Sequence, residues 1–341
     1  MKKRYLLALF LAFSSFTLHA QITQGRFTAG DHPRNDILRI QGNRNTRSVS
    51  FSPSVGYFLT NNVLLGAQFS AFNVNENNNV DFSQWSFSPF ARYYLPGNFF
   101  LTAGLGIGNQ RRNISGFGVQ DRITFYDVSV GAGKDFFLRG DVALEGILVY
   151  QYANFSGEFL AEDENVNTLL LDFNLQPFLG AGLDVEASNP LGAGSVLLDL
   201  PAQLQWQGQT ANDGFFTINL SPKFGYFIDE HFVVGGQVIA SVFGTEQETL
   251  FGFGLSPLVR YYFPPLADQL YAFGGLTVGF EKEPGADDAF WSGEFGPGLD
   301  YFLSTNVALE GQLAYTFLKF KNVPALERAL IRVGVQVFLR K

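Results

Sequence analysis

The chain has 341 residues, 23 Lys and Arg against 31 Asp and Glu, 38 Phe, 37 Gly and no Cys. The acidic balance argues against nucleic acid as a partner, and the missing cysteine excludes disulfides and thiolate metal sites. Heavy use of phenylalanine and glycine points to an all-β protein.

Residues 1–20 read as a signal peptide. Lys2, Lys3 and Arg4 precede an apolar run, Leu6–Phe13, and then Ser-Ser-Phe-Thr-Leu-His-Ala, with cleavage expected after Ala20. Beyond residue 21 no run approaches the roughly 18 apolar residues of a membrane helix. An exported chain of this kind enters a membrane as a closed barrel, because closure satisfies every backbone donor and acceptor.

Eight strands are expected before residue 180: 24–40, 48–59, 63–73, 82–95, 98–109, 123–138, 142–155 and 167–179. Eight more follow: 195–207, 215–228, 232–243, 250–263, 269–281, 289–303, 307–319 and 328–339. Tight turns such as Thr60–Asn62, Arg139–Asp141 and Ser304–Asn306 alternate with longer polar loops, the layout of outer-membrane barrels. The domain boundaries that follow are 1–20 for the signal, 21–180 for a first eight-stranded module, 181–194 for a linker and 195–341 for a second module.

The two halves are copies. Ser52-Pro53 with Gly56-Tyr57-Phe58 returns as Ser221-Pro222 with Gly225-Tyr226-Phe227. Phe87-Ser-Pro-Phe-Ala-Arg-Tyr-Tyr-Leu95 returns as Leu255-Ser-Pro-Leu-Val-Arg-Tyr-Tyr-Phe263, and Val142–Gly146 returns unchanged as Val307–Gly311. Drift between copies sits in the loops, where insertions are tolerated.

Each copy alternates with a period of two, so each strand presents two faces to two different environments. One face carries bulk. Tyr57, Tyr93, Tyr226, Tyr261 and Tyr301 fall on it near the tight turns. Trp85, Tyr126, Tyr150, Tyr152, Trp206, Trp291 and Tyr315 fall on it near the longer loops. Two aromatic girdles around an apolar band mark membrane interfaces. The other face carries Arg92, Asp135 and Glu145, repeated as Arg260, Asp300 and Glu310, each about four residues from a tight turn. Charges at one level of a narrow lumen are expected to pair as a structural plug.

With these motifs in order and twice over, the chain resembles the OmpA/OmpX-like (porin-family) outer-membrane barrel domain, as a tandem duplication. The resemblance implies a transmembrane antiparallel up-and-down β-barrel. It also implies a final strand read by the barrel assembly machinery; Arg332, Gly334, Val337 and Leu339 match its pattern, although the chain ends Phe-Leu-Arg-Lys without the usual terminal aromatic.

An enzyme is not expected. His19 lies in the leader, His32 in the irregular first strand and His231 in a tight turn, and two histidines do not make a metal site. Gly104, Gly106 and Gly108 share the inward face of a strand, where they make room in a crowded lumen rather than a nucleotide loop. The acidic stretches at 161–164 and 287–288 read as solvated loops. No cofactor or metal is expected.

Closure is the open point. The halves could close as two tandem 8-stranded barrels or as one 16-stranded barrel. Inward Phe58, Phe90, Phe100, Phe137, Ile147, Phe178, Phe227, Phe302 and Phe338 suit a small filled lumen, which leads to two barrels. The alternative is a 16-stranded general porin. The expected function is an outer-membrane barrel with a structural or limited-permeability role, the alternatives being that porin and a surface-binding barrel acting through its loops. The partners expected are outer-membrane lipids and lipopolysaccharide, with no specific ligand named.

Overall fold

Every segment expected as a strand forms one, and the first two strands of each half are each broken in two. In the computed structural model, which describes residues 24–30, 36–43, 46–76, 80–114, 119–157, 164–180, 191–209, 214–321 and 324–340, the first half contributes β1 (Arg26–Gly30), β2 (Asp36–Gly42), β3 (Thr46–Phe51), β4 (Ser54–Phe58), β5 (Val63–Glu76), β6 (Val80–Tyr94), β7 (Phe99–Ile114), β8 (Val119–Arg139), β9 (Val142–Gly157) and β10 (Glu164–Gly180). The second half contributes β11 (Val196–Asp199), β12 (Ala202–Gln209), β13 (Phe215–Leu220), β14 (Lys223–Phe227), β15 (Phe232–Gly244), β16 (Thr249–Tyr262), β17 (Leu270–Lys282), β18 (Phe290–Phe302), β19 (Val307–Lys319) and β20 (Leu326–Leu339). The signal-peptide segment, His32 and residues 181–190 of the expected linker lie outside the described residues.

The pairings trace three closed circuits. Toward the longer loops one circuit runs β2–β3–β5–β6–β7–β8–β9–β10–β12–β13–β15–β16–β17–β18–β19–β20 and back to β2, sixteen strands, all antiparallel. Toward the tight turns the first half closes on itself through β1, which pairs both β4 and β10. The second half does the same through β11, which pairs both β14 and β20. The ring therefore stands on two eight-stranded legs. Strand eight of the first half pairs strand one of its own half below and strand one of the other half above. The single sixteen-stranded closure fits the upper ring. Two separate tandem barrels are not what the pairing shows, because β2–β20 and β10–β12 join the halves.

The breaks coincide with prolines. The Ser52 N–H donates to the Ile37 carbonyl on β2 (2.8 Å), and the Ser221 N–H donates to the Pro201 carbonyl (3.0 Å). One residue later the neighbouring strand changes, and Pro53 or Pro222 stands there with no N–H to leave unpaired. Each leg is entered through a glycine at positive φ, Gly25 (+87°) and Gly194 (+88°), whose N–H donates to the Phe58 or Phe227 carbonyl at 3.1 and 2.9 Å. That backbone conformation favours glycine.

Each leg has its own filled core. Phe58, Leu64, Tyr94, Phe100, Phe137 and Phe178 pack in the first. Phe227, Val233, Tyr262, Phe273, Phe302 and Phe338 pack in the second, joined by Leu191 and Leu197. A third cluster, Val142, Leu175, Val307, Val335 and Val337, lies between the legs. These side chains stand on the outward parity, which the sequence assigns to lipid; leg-to-leg packing buries them instead. A polar clasp adds to this contact: Ser304 Oγ donates to Asp141 Oδ2 (2.5 Å) and Asn306 Nδ2 to Asp141 Oδ1 (2.8 Å).

Candidate functional site: two plugs beneath one chamber

The six lumen charges expected from sequence come together as two sets, one in each leg, all at most 7% exposed. In the first leg Arg92 on β6 reaches across to Glu145 on β9 through both terminal nitrogens, with Nη2 donating to Oε1 at 3.2 Å. Its guanidinium lies over Phe100, 4.6 Å from the ring centroid. In the second leg Arg260 Nη1 donates to Glu310 Oε2 at 2.6 Å and the guanidinium lies 3.9 Å from the Phe273 centroid. Burying such a pair is tolerable only when its remaining donors and acceptors are satisfied. Bidentate geometry serves that end for Arg92, and aromatic stacking serves it for both arginines.

The two sets differ in their third member. Tyr262 accepts from Arg260 Nη1 (3.0 Å) and donates to Asp300 Oδ2 (2.7 Å), and Arg260 lies 3.8 Å from that carboxylate. Asp135 is the cross-strand partner of Glu145, as Asp300 is of Glu310, but neither Asp135 oxygen has a hydrogen-bond partner. The tyrosines Tyr94 and Tyr262 are plug members that sequence reasoning did not single out. The signal was present in the Arg-Tyr-Tyr repeat, since the second tyrosine shares the arginine's parity.

Above the second plug lies a polar cavity of about 660 Å³. Both halves line it, Arg39 and Gln41 from β2 together with Gln203, Lys223, Gln237, Ser256, Glu281, Glu294 and Arg332. Arg332, expected as part of the assembly signal, is a chamber residue here. It donates to Gln312 and, at 3.0 Å, to Glu294. Gly334 lines the same chamber, while Val337 and Leu339 pack between the legs.

The inward glycines do make room. A Cβ on Gly106 would stand 1.9 Å from Asp127 Oδ2, and one on Gly108 would stand 2.2 Å from Phe125 Cζ. The expected girdle residues Tyr57, Trp85, Tyr93, Tyr126, Tyr150, Trp206, Tyr226, Tyr261, Trp291, Tyr301 and Tyr315 are all exposed, as is Tyr152. In the tight turn before β15 a His231 ring nitrogen hydrogen-bonds the Tyr262 carbonyl (2.9 Å), where Asn62 Nδ2 donates to the Tyr94 carbonyl in the first half (2.9 Å). Among the described residues no group of three or more His, Asp or Glu could hold a metal ion.

No protein-family model matches the chain, and no curated protein matches it in sequence. Solved structures do match in fold. CdiB from Acinetobacter baumannii aligns with a TM-score of 0.53 at 9% identity, over 92% of this chain and 60% of that one. CdiB from Escherichia coli aligns with a TM-score of 0.50 at 11% identity, over 92% of this chain and 62% of that one. The chain thus spans about 60% of the length of the CdiB chains it matches. At such identities the likeness is one of fold, and it places this chain among closed antiparallel β-barrels.

Proposed function

We propose that the protein is an integral outer-membrane β-barrel with a structural or limited-permeability role and no catalysis. In this reading it is exported through the Sec pathway behind the signal at residues 1–20, folded in by the barrel assembly machinery, and surrounded by lipid and lipopolysaccharide. The inversion of the two surfaces carries the proposal. Apolar and aromatic side chains such as Leu105, Phe251 and Trp291 are exposed outside, while arginines and carboxylates are buried inside, the reverse of a water-soluble protein and the arrangement of a membrane barrel. The self-closing legs support a kinship with the OmpA/OmpX-like domain, duplicated and joined above.

The sixteen-stranded upper circuit favours a second reading, a general porin. The plugs support the first reading over this one, because each leg under the ring is filled by aromatic rings around an ion pair. The experiment is extraction and reconstitution. The protein should leave membranes only with detergent, migrate faster unboiled than boiled, and pass little or no steady current in planar bilayers. Recovery in a soluble fraction would defeat the membrane reading, and large steady porin-like steps would replace the plugged barrel with the open porin.

A further inference from the structure

The outer wall of the barrel carries an uncompensated pair of like charges. Successive rungs of the β7–β8 hairpin face the lumen and the outside in turn. Arg112 stands opposite Asp121, an inward rung whose charges complement each other. The adjacent outward rung sets Arg111 directly opposite Arg122. Residues so paired have Cβ atoms about 4.5–5.5 Å apart, and like charges there are destabilising. Both arginines are exposed, and no hydrogen bond or ion pair joins either guanidinium to another described residue.

Height on the wall identifies what the pair meets. Trp85, an exposed girdle residue, pairs Asn109, which pairs Thr124. The next outward rung toward the loops is Ser83, Arg111 and Arg122, side by side on β6, β7 and β8. Aromatic girdles lie at the level of the lipid headgroups. One outward rung further is about 7 Å along the strands, still within that layer. Asp81 stands one rung beyond Ser83, but its carboxylate accepts from Asn75, and Arg47 is the cross-strand partner of Asn75 on the other side. The described residues of this outward face thus set three arginines against one carboxylate. The second half does not repeat the pair: counted back from Val142 and its repeat Val307, Arg122 answers to Asp287.

We propose that Arg111 and Arg122, with the Ser83 hydroxyl beside them, bind a phosphate of a lipid headgroup, that of the phosphorylated glycolipid in the outer leaflet. Neighbouring guanidiniums offer forked N–H donors to one phosphate, and the anion between them turns their repulsion into attraction. The place of the pair, on the lipid-facing wall just beyond the girdle, selects a headgroup over a dissolved anion. The inference rests on the reading of the chain as an outer-membrane barrel with its longer loops outside. Failure of that reading would appear as recovery in a soluble fraction, whereas failure of this one would leave an intact detergent-stable barrel without a lipid preference.

The purified full chain in neutral detergent would be incubated with lipid A bearing two phosphates or with dephosphorylated lipid A, and retained lipid counted by native mass spectrometry. The wild type should retain the phosphorylated form preferentially. An arginine at an anionic headgroup layer is worth a factor of about five in affinity, so Arg111→Ala/Arg122→Ala should weaken binding roughly 25-fold and erase the preference. Arg111→Lys/Arg122→Lys should keep part of it, since lysine holds the charge without the fork. Arg122→Asp makes the outward rung a copy of the inward one. It should raise the thermal midpoint of the compact form in lipid-free detergent and abolish the further rise that phosphorylated lipid A gives the wild type by mass action. Equal retention of the two lipids by the wild type would overturn the proposal. So would a preference that survives in the double alanine variant, or an Arg122→Asp midpoint no higher than wild type without lipid. Inorganic phosphate stabilising the wild type as well as lipid A does would assign a dissolved anion instead and overturn it too.

Discussion

Removing the arginine from each plug should destabilise the barrel unequally. Arg92→Ala leaves Glu145 buried at 0% exposure, with the carboxylate of Asp135 as its cross-strand neighbour. Breaking a buried pair from one side costs about 3–5 kcal/mol, and this site belongs at the upper end, about 5 kcal/mol. Arg260→Ala leaves Glu310 with Arg332 still 3.9 Å away. A charge pair near 4 Å is worth about 4 kcal/mol at an effective dielectric of about 20. Arg332 is also bonded to Glu294 at 3.0 Å and is 19% exposed, so roughly half of that, about 2 kcal/mol, remains for Glu310. Arg260→Ala should therefore cost about 3 kcal/mol. Reversible urea unfolding in detergent or liposomes, followed by tryptophan fluorescence and by the heat-modifiable gel shift, measures both. A cycle with Glu145→Ala should show about 2–3 kcal/mol of coupling with Arg92. Equal costs for the two arginines, or additivity of Arg92→Ala and Glu145→Ala, would refute the reasoning.

Further outcomes follow from the same geometry. A Cβ at Gly235 would lie 2.0 Å from the Phe224 carbonyl oxygen, whereas one at Gly274 meets nothing within 4 Å; Gly235→Ala should cost about 1–3 kcal/mol in urea unfolding and Gly274→Ala less than about 0.5 kcal/mol. In the turn before β15, the His231 and Phe232 N–H groups each donate to Asp229 Oδ1 at 2.7 Å and hold this exposed carboxyl below the usual carboxylate range. Because the folded value is the lower one, this contribution is complete above the unfolded carboxylate pKa and is lost as pH falls through the lowered value. Asp229→Thr, which copies Thr60 of the first half, where Oγ1 accepts from Asn62 and Val63, should keep the turn and remove that acid dependence, as read from unfolding midpoints across pH. Asp141→Ala should loosen the two legs by removing the acceptor for Ser304 and Asn306, seen as faster hydrogen exchange at the Ser304–Asn306 turn.

Much of the fold is legible in the sequence because a barrel strand declares its two faces. Period-two alternation places Arg92 and Glu145 inside and Trp85 and Tyr126 outside without knowledge of which strands are neighbours. The same property hides the closure. A strand alternates identically whether its partner comes from its own half or from the other, so nothing in β2 or β12 announces β20 or β10. The clue lay in the prolines at Ser52-Pro53, Leu200-Pro201 and Ser221-Pro222, where a neighbour arrives or departs, although Pro89, Pro257 and Pro297 stand inside unbroken strands. Arg332 shows a second limit. Its spacing to Val337 and Leu339 fits a recognition pattern, while its contacts with Glu294 and Gln312 depend on the chain that surrounds it. The buried valines between the legs were equally invisible, because outward parity means lipid only when no second leg stands alongside.

The central claim, one ring standing on two legs, is tested most directly by disulfide trapping, which the absence of native cysteine makes clean. Ile40 and Ile331 are cross-strand partners at an upper seam, and Phe27 and Leu179 are partners in the first leg. Antiparallel partners lie about 4.5–5.5 Å apart between Cα atoms, within disulfide range. A protease site placed between residues 181 and 190 would separate the halves covalently. After oxidation, cleavage and boiling, Ile40→Cys/Ile331→Cys should keep the halves joined, while Phe27→Cys/Leu179→Cys should form its bond and still release two halves. Failure of the upper pair to cross-link, with the leg pair intact, would contradict the shared ring and leave two separate barrels.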